Sequence, residues 1–186
     1  MELEFGVRTD KGKVRAKNGD AYYVDPLKGL FMVADGLGGH QAGEMASSMA
    51  VHEAVRFLGT EGITKVSEEF LRASVWSANL KVYMESLKDE SLLGMGTTLV
   101  IALIREAYLW LAHVGESRAY FISEEGLRQL TNDHALIYEL SHRDFFTPYR
   151  FSPVLTRAVG TAPSVERRVR SWSMQPMRKV ARTTSR

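Results

Sequence analysis

Apolar residues recur along this chain with two different periods. Residues 30–34 (LFMVA) form an unbroken apolar run of strand length, the pattern of a central strand. Residues 3–8 alternate loosely and residues 21–24 are short and aromatic, and both stretches predict strands. Turn signals separate them, Asp10-Lys11-Gly12 and Asp25-Pro26-Leu27-Lys28-Gly29. From Glu44 onward the period lengthens. Ala46, Met49 and Ala50, then Val51, Ala54, Val55 and Leu58, fall three and four apart and predict a helix over 44–58, stopped at Gly59. A second helix is predicted over 67–87, with Leu71, Val75, Ala78 and Val82 on one side and Ser67, Glu68 and Glu69 at its start. After Gly94-Met95-Gly96 the pattern changes to runs rich in β-branched and aromatic residues. Strands are predicted at 97–104, 108–114, 119–122 and 127–130, and the short turns between them imply antiparallel neighbours. Short helices are predicted at 133–141 and 153–159.

Strands, then two helices, then a strand meander indicate an α+β fold rather than alternating α/β. Two helices cannot cover both faces of a large sheet. The expected architecture is therefore two stacked antiparallel β-sheets, a β-sandwich, flanked by α-helices. A length of 186 residues suits one domain. With 45% apolar and 25% charged residues, the chain is globular rather than disordered or fibrous. The longest apolar runs, 99–104 and 107–112, are far short of the roughly 20 residues that span a bilayer. The N-terminus, MELEFGVRTDKG, lacks the apolar core of a secretory signal. The absence of cysteine excludes disulfides, zinc–thiolate sites, iron–sulfur clusters and cysteine nucleophiles. A cytoplasmic protein with no membrane partner is the expectation.

The net charge of +2 hides a lopsided chain. Residues 1–144 carry 15 Lys/Arg against 21 Asp/Glu, whereas residues 145–186 carry nine against a single acid, Glu166. A basic end of this kind suits an anionic surface or nucleic acid, or else it does not belong to the fold encoded upstream. No aromatic stacking platform or helix-turn-helix pattern accompanies the arginines, and Trp172 stands alone, so nucleic acid is not an expected partner.

Three segments could carry chemistry. In LFMVADGLGGH a carboxylate, Asp35, follows a buried strand, and Gly36 can offer a bare carbonyl oxygen. A carboxylate with a carbonyl is a hard-oxygen set suited to Mg²⁺ or Mn²⁺; the same pair also reads as a turn that ends a strand. In Val14-Arg15-Ala16-Lys17-Asn18-Gly19-Asp20, Arg15 has the planar fork that fits phosphate and Asp20 supplies a second carboxylate, although a solvated polar loop would look the same. In His113-Val114-Gly115-Glu116-Ser117-Arg118 a carboxylate lies between two strands, at what is otherwise an ordinary hairpin. His113 itself reads as a core histidine, Thr97-Thr98 as a strand start and Asp133-His134 as a helix cap.

The order of these segments says more than any one of them. R-x-x-N-x-D, A-D-G-x-G-G-H, A-G-E-x-A-S, G-M-G-T-T, H-x-G-[acid]-S-R, L-T-x-D-H and L-T-R-A-V-G follow one another from Arg15 to Gly160. The series resembles the metal-dependent PPM-type (type 2C) protein serine/threonine phosphatases, their bacterial members in particular. The resemblance implies a two-sheet β-sandwich with helices on both outer faces and two Mg²⁺ or Mn²⁺ ions at one end. It implies that Asp35 bridges the two metals, that Gly36 through its carbonyl and the Asp20 region support one of them, and that Glu116 stands where an Asp helps bind a third. It places Arg15 on the substrate phosphate and His40 where the leaving group takes its proton. The implied partners are phosphorylated protein substrates and a serine/threonine kinase that shares its targets.

Departures from the family pattern accompany the match. Gly19 stands where an acidic or amide residue is usual, and Glu116 is one methylene longer than the expected Asp. The family's C-terminal metal ligands, an Asp-Gly after a strand and a later Asp, have no counterpart, because Glu166 is the sole acid after Asp144. The expected organisation is a phosphatase domain over 1–163, incomplete at its C-terminus, and a basic, poorly matching tail over 164–186 that an out-of-frame terminus would explain. Two readings follow: an active phosphatase, or a catalytically impaired phosphatase-like module that binds phosphoproteins. Missing late strands would also leave sheet edges open to self-association.

Overall fold

The computed structural model describes residues 3–13, 17–37, 40–60, 66–105, 108–134, 149–150 and 158–160. Arg15, the predicted tail over 164–186 and residues 135–141 and 153–157 of the two predicted late helices lie outside them.

Strand β1 (Asp20–Asp25) turns at Pro26–Gly29 into β2 (Leu30–Leu37), and the two pair antiparallel. Gly29 holds a left-handed φ of +61°, and a Cβ there would lie 2.4 Å from the Ile104 carbonyl oxygen, so this turn requires glycine. β2 then pairs with the short β3 (Gly96–Thr97) and with β4 (Leu99–Arg105), and β4 with β5 (Tyr108–Val114). A strand at Tyr149–Arg150, β8, closes this first sheet in the order β1-β2-β4-β5-β8. β6 (Ala119–Ser123), β7 (Gly126–Gln129) and β9 (Ala158–Gly160) make a second sheet in the order β7-β6-β9.

Two helices lie on one face of the first sheet, α1 (His40–Thr60) and α2 (Glu68–Ser86). Leu30, Met32 and Ala34 of β2 pack there with Leu99, Ile101 and Leu103 of β4 and with Ala46, Ala50, Ala54 and Leu58 of α1. The opposite face, carrying Val33, Val100, Leu109 and Leu111, meets Ala119, Phe121 and Leu130 from the second sheet. The alternation of β2 thus feeds two cores, one under the helices and one between the sheets. Both described helices cover the first sheet; among the described residues none covers the second.

Several sequence expectations change. Residues 3–10 form no strand: Phe5 and Val7 stay exposed, and Phe5 lays its ring against Phe31 without joining a ladder. α1 starts earlier than predicted and runs through Gly59 to Thr60. Ser67 does cap α2, accepting from the Phe70 amide. The turn at 115–118 is not a hairpin, because it carries the chain from the first sheet to the second. Asp133 and His134 are not helical, and Ala158–Gly160 is a strand where a helix was predicted. A second apolar row on α2, Trp76, Leu80, Tyr83 and Leu87, remains exposed.

The helices are tied by a polar knot in an apolar interface. Glu53 of α1 is buried, accepts from Arg56 Nε at 2.9 Å and Nη2 at 2.6 Å, and accepts from Ser77 Oγ of α2 at 2.6 Å. The Arg56 guanidinium is the main reason the Glu53 carboxyl is held down at about 2. A depressed carboxyl stabilises the fold above its unfolded value of 4.5 and loses that contribution as the pH falls towards 2. Glu53→Gln is therefore expected to flatten the acid limb of the stability–pH curve between pH 4.5 and 2. At pH 7 it should cost about 1–3 kcal/mol, read from urea unfolding. An unchanged acid limb would refute this assignment.

Candidate active site at the end of the intersheet cleft

The two predicted carboxylates meet across one strand pair. Asp20 stands directly opposite Asp35 in the β1–β2 register, so their side chains share a face of the sheet. That face is the intersheet one, since Asp35 continues the row of Phe31 and Val33. Asp35 thus lies within β2 rather than after it. Like charges placed directly opposite destabilise a sheet unless something offsets them.

Each carboxylate is held by its own surroundings. The Asp20 amide donates to Asn18 Oδ1 at 3.0 Å, and Thr9 Oγ1 donates to Asp20 Oδ2 at 3.1 Å while accepting from Asn18 Nδ2. Gly19, the departure from the family pattern, uses its carbonyl instead of a side chain: it accepts from the Gly36 amide at 3.1 Å and from Ser47 Oγ at 2.7 Å. The start of β1, the end of β2 and the first turns of α1 are thereby joined at one oxygen. The Asp35 carbonyl accepts from the Thr98 amide at 3.0 Å and from Thr97 Oγ1 at 3.0 Å, and the Asp35 amide donates to Thr98 Oγ1 at 2.9 Å.

Gly36 is buried, and its identity follows from packing. A Cβ there would lie 2.0 Å from the Gly43 carbonyl oxygen and 2.9 Å from that of Gly19. Gly43 in turn sits under Gly36: its own Cβ would come within 2.9 Å of the Gly36 oxygen. The first turn of α1 therefore rests directly on the end of β2, with no side chain between them.

Glu116 is exposed in the turn between β5 and β6. That turn is anchored at several points. Ser117 Oγ lies 2.6 Å from Thr98 Oγ1, and the Gly115 carbonyl accepts from the His134 amide at 3.1 Å. Arg118 holds Asp133 through two bonds from Nε, at 2.8 and 3.0 Å, and keeps that carboxyl ionised below its usual range. His113 stacks on His134 with ring centroids 4.6 Å apart, and burial, reinforced by its neighbour, pulls it down to about 4. It is neutral at physiological pH.

The structure thus joins Asp20, Asp35 and Gly36 directly, and links the Glu116 turn to them through Thr98. Arg15 lies outside the described residues, and of His40 only the backbone is described, as the first residue of α1. Sequence reasoning took Thr98 as part of a strand start and gave Ser117 and Gly43 no role of their own; the T-T doublet, the S after the acid and the G-E pair are their traces in the chain. Among the described residues no three Asp, Glu or His side chains converge. The two opposed carboxylates nevertheless fit a hard divalent cation, being oxygen donors whose mutual repulsion a cation relieves.

The family profile for protein phosphatase 2C matches residues 13–184. The serine/threonine phosphatase stp of Listeria monocytogenes is 36% identical over 182 residues, covering 89% of this chain and 69% of that protein. The crystal structure of the Mycobacterium tuberculosis serine/threonine phosphatase PstP/Ppp superposes with a TM-score of 0.63 at 30% identity, covering 83% of this chain and 70% of that one. A structure of the PstP catalytic domain in complex with two manganese ions gives the same TM-score at 35% identity, over 72% of this chain and 56% of that one.

Proposed function

The chain belongs to the protein phosphatase 2C family of metal-dependent serine/threonine phosphatases, and from that premise we propose that its reaction takes place where Asp20 faces Asp35. The observation that carries this reading is the register that sets two carboxylates opposite each other on the intersheet face of the first sheet. Asp35 and Asp20, with the Gly36 carbonyl, would hold two divalent cations, and Glu116 an extra one, with Mg²⁺ or Mn²⁺ as the ions. When bound, the cations supply the acidity that makes water a nucleophile near neutral pH and the positive charge that offsets the phosphoryl oxygens.

The remaining work belongs to the chain. Asp35 keeps a fixed place because both of its main-chain polar groups are bonded to Thr97 and Thr98. Arg15 would orient the phosphoryl group through its planar fork. His40, at the start of α1, would give a proton to the departing serine or threonine oxygen.

The substrates are phosphorylated proteins. We place the reaction in the cytoplasm, opposite a serine/threonine kinase acting on the same targets. No helix among the described residues is long and apolar enough to cross a membrane. Among the described residues β1 and β7 are edge strands, and copies of the chain would pair there.

Metal removal tests the reading. The purified chain is expected to hydrolyse a phosphothreonine peptide with Mn²⁺, to fall to background on chelation, and to recover when Mn²⁺ is returned in excess. Phosphopeptide binding without turnover at any Mn²⁺ or Mg²⁺ concentration would instead favour the binding-module reading.

A further inference from the structure

The registers of the first sheet set four residues in one line across it. Asp20 faces Asp35. The β2–β3 and β2–β4 pairings share one offset, which puts Asp35 opposite Thr98. The β4–β5 offset puts Thr98 opposite Gly115. At this line the ladder departs from its usual form. Thr98 donates its amide to the Asp35 carbonyl, as a paired strand should. The reciprocal bond is not made to the Thr98 carbonyl. The Asp35 amide goes to Thr98 Oγ1 instead, and the Thr98 carbonyl lies 2.9 Å from Thr97 Oγ1.

This substitution has a consequence for the next strand. Thr98 Oγ1, which accepts the Asp35 amide, also shares a hydrogen bond with Ser117 Oγ, 2.6 Å away, in which either hydroxyl can donate. Thr98 is 3% exposed and Ser117 7%, so little water competes for these groups. Gly115 accommodates the arrangement: its φ is +91°, and a Cβ on it would lie 2.8 Å from Thr98 Cγ2. Ser117 is the residue after Glu116. A continuous path of hydrogen bonds therefore runs from the main chain of Asp35 through two buried hydroxyls to the turn that carries Glu116.

We propose that Thr98 and Ser117 are positioning residues of the metal centre, their shared hydrogen bond fixing the Asp35 carboxylate relative to the Glu116 turn before a cation arrives. The inference rests on the reading of Asp35 and Glu116 as metal ligands. It assigns the two hydroxyls the outer-shell task of orienting donors that belong to different strands. Loss of such a partner weakens metal binding about 10–100-fold.

The test is a Mn²⁺ titration of the full-length chain, read by calorimetry and by the loss of the free-ion resonance in electron paramagnetic spectra. Thr98→Val, which keeps shape and removes the hydroxyl, is expected to raise the Mn²⁺ dissociation constant at least tenfold below its melting temperature. Thr98→Ser is expected to restore binding to within about threefold of wild type, on the same outer-shell argument. Ser117→Ala should weaken the more loosely held ion while sparing the tight ones. A merely structural hydroxyl would lower the melting temperature and leave these constants where they were. Should Thr98→Val fail to fold, Ser117→Ala and Thr98→Ser decide the matter: an unaltered titration in Ser117→Ala overturns the inference. Wild-type uptake of Mn²⁺ with an equal constant in folded Thr98→Val overturns this inference alone. Uptake without turnover in wild type overturns the catalytic reading and leaves the titration series valid. A wild type that takes up no Mn²⁺ overturns both.

Discussion

Asp35→Asn is expected to reduce Mn²⁺-dependent kcat/KM on a phosphothreonine peptide by at least about a thousandfold, some 4 kcal/mol of transition-state stabilisation. The side chain keeps its size and loses only its charge. The fold should survive, because the bonds that fix residue 35 in β2 run through its main chain to Thr97 and Thr98. The metal-free variant should even melt no lower than wild type, since substitution removes one of two like charges facing each other across β1 and β2. What it should lose is the upward shift in melting temperature that Mn²⁺ is expected to give the wild type, a shift that would report binding to the native state alone. Kinetics at saturating Mn²⁺ and melts with and without the ion measure both effects. A variant with wild-type turnover, or one still stabilised by Mn²⁺ to the same degree, would remove Asp35 from the metal centre.

Gly36→Ala should be the most damaging substitution to the fold itself. The added methyl would meet the Gly43 carbonyl oxygen at 2.0 Å, its carbon at 2.4 Å and the Gly19 oxygen at 2.9 Å. All three are main-chain atoms, so no side chain can rotate away. Relief requires α1 to lift off β2, which would also break the bond that Ser47 makes to the Gly19 carbonyl. The cost should exceed ordinary overpacking and reach about 3–5 kcal/mol, lowering the melting temperature by about 10 °C. Gly43→Ala meets the Gly36 oxygen at 2.9 Å and should be milder. Urea unfolding of both variants checks the order. Equal stabilities would mean that the contact between the glycines yields more easily than its geometry indicates.

The sequence reading succeeded where a single face of an element reports its own burial. An apolar, aromatic run between two short turns located β5 to the residue, and Leu71, Ala78 and Val82 marked the buried side of α2. It also singled out Asp20 and Asp35 as candidates, and the β1–β2 register sets them opposite each other. It failed where the decisive partner is distant. Residues 3–8 alternate like a strand, yet alternation does not supply a second strand to pair with. The turn at 115–118 is as short as a hairpin, and nothing in its residues shows that Ala119 will pack in the other sheet. Thr98 looks like any β-branched strand residue until Asp35, 63 positions away, donates to its hydroxyl. Gly36 invites a local explanation from its own loop, whereas the structure explains it by the approach of Gly43.

The seam between β2 and β4 has a bearing on how the chain reaches this state. β1–β2 and β4–β5 are local hairpins and can close early, while their joining brings together residues more than sixty positions apart. A slip of one residue at that seam would turn Thr98 away from the row it must share with Asp35, and within β2 a flip would send Asp35 under the helices, among Ala46 and Leu99. A carboxylate has no place there. An acid at position 35 would thus weigh against the misaligned sandwich, whatever else that carboxylate does.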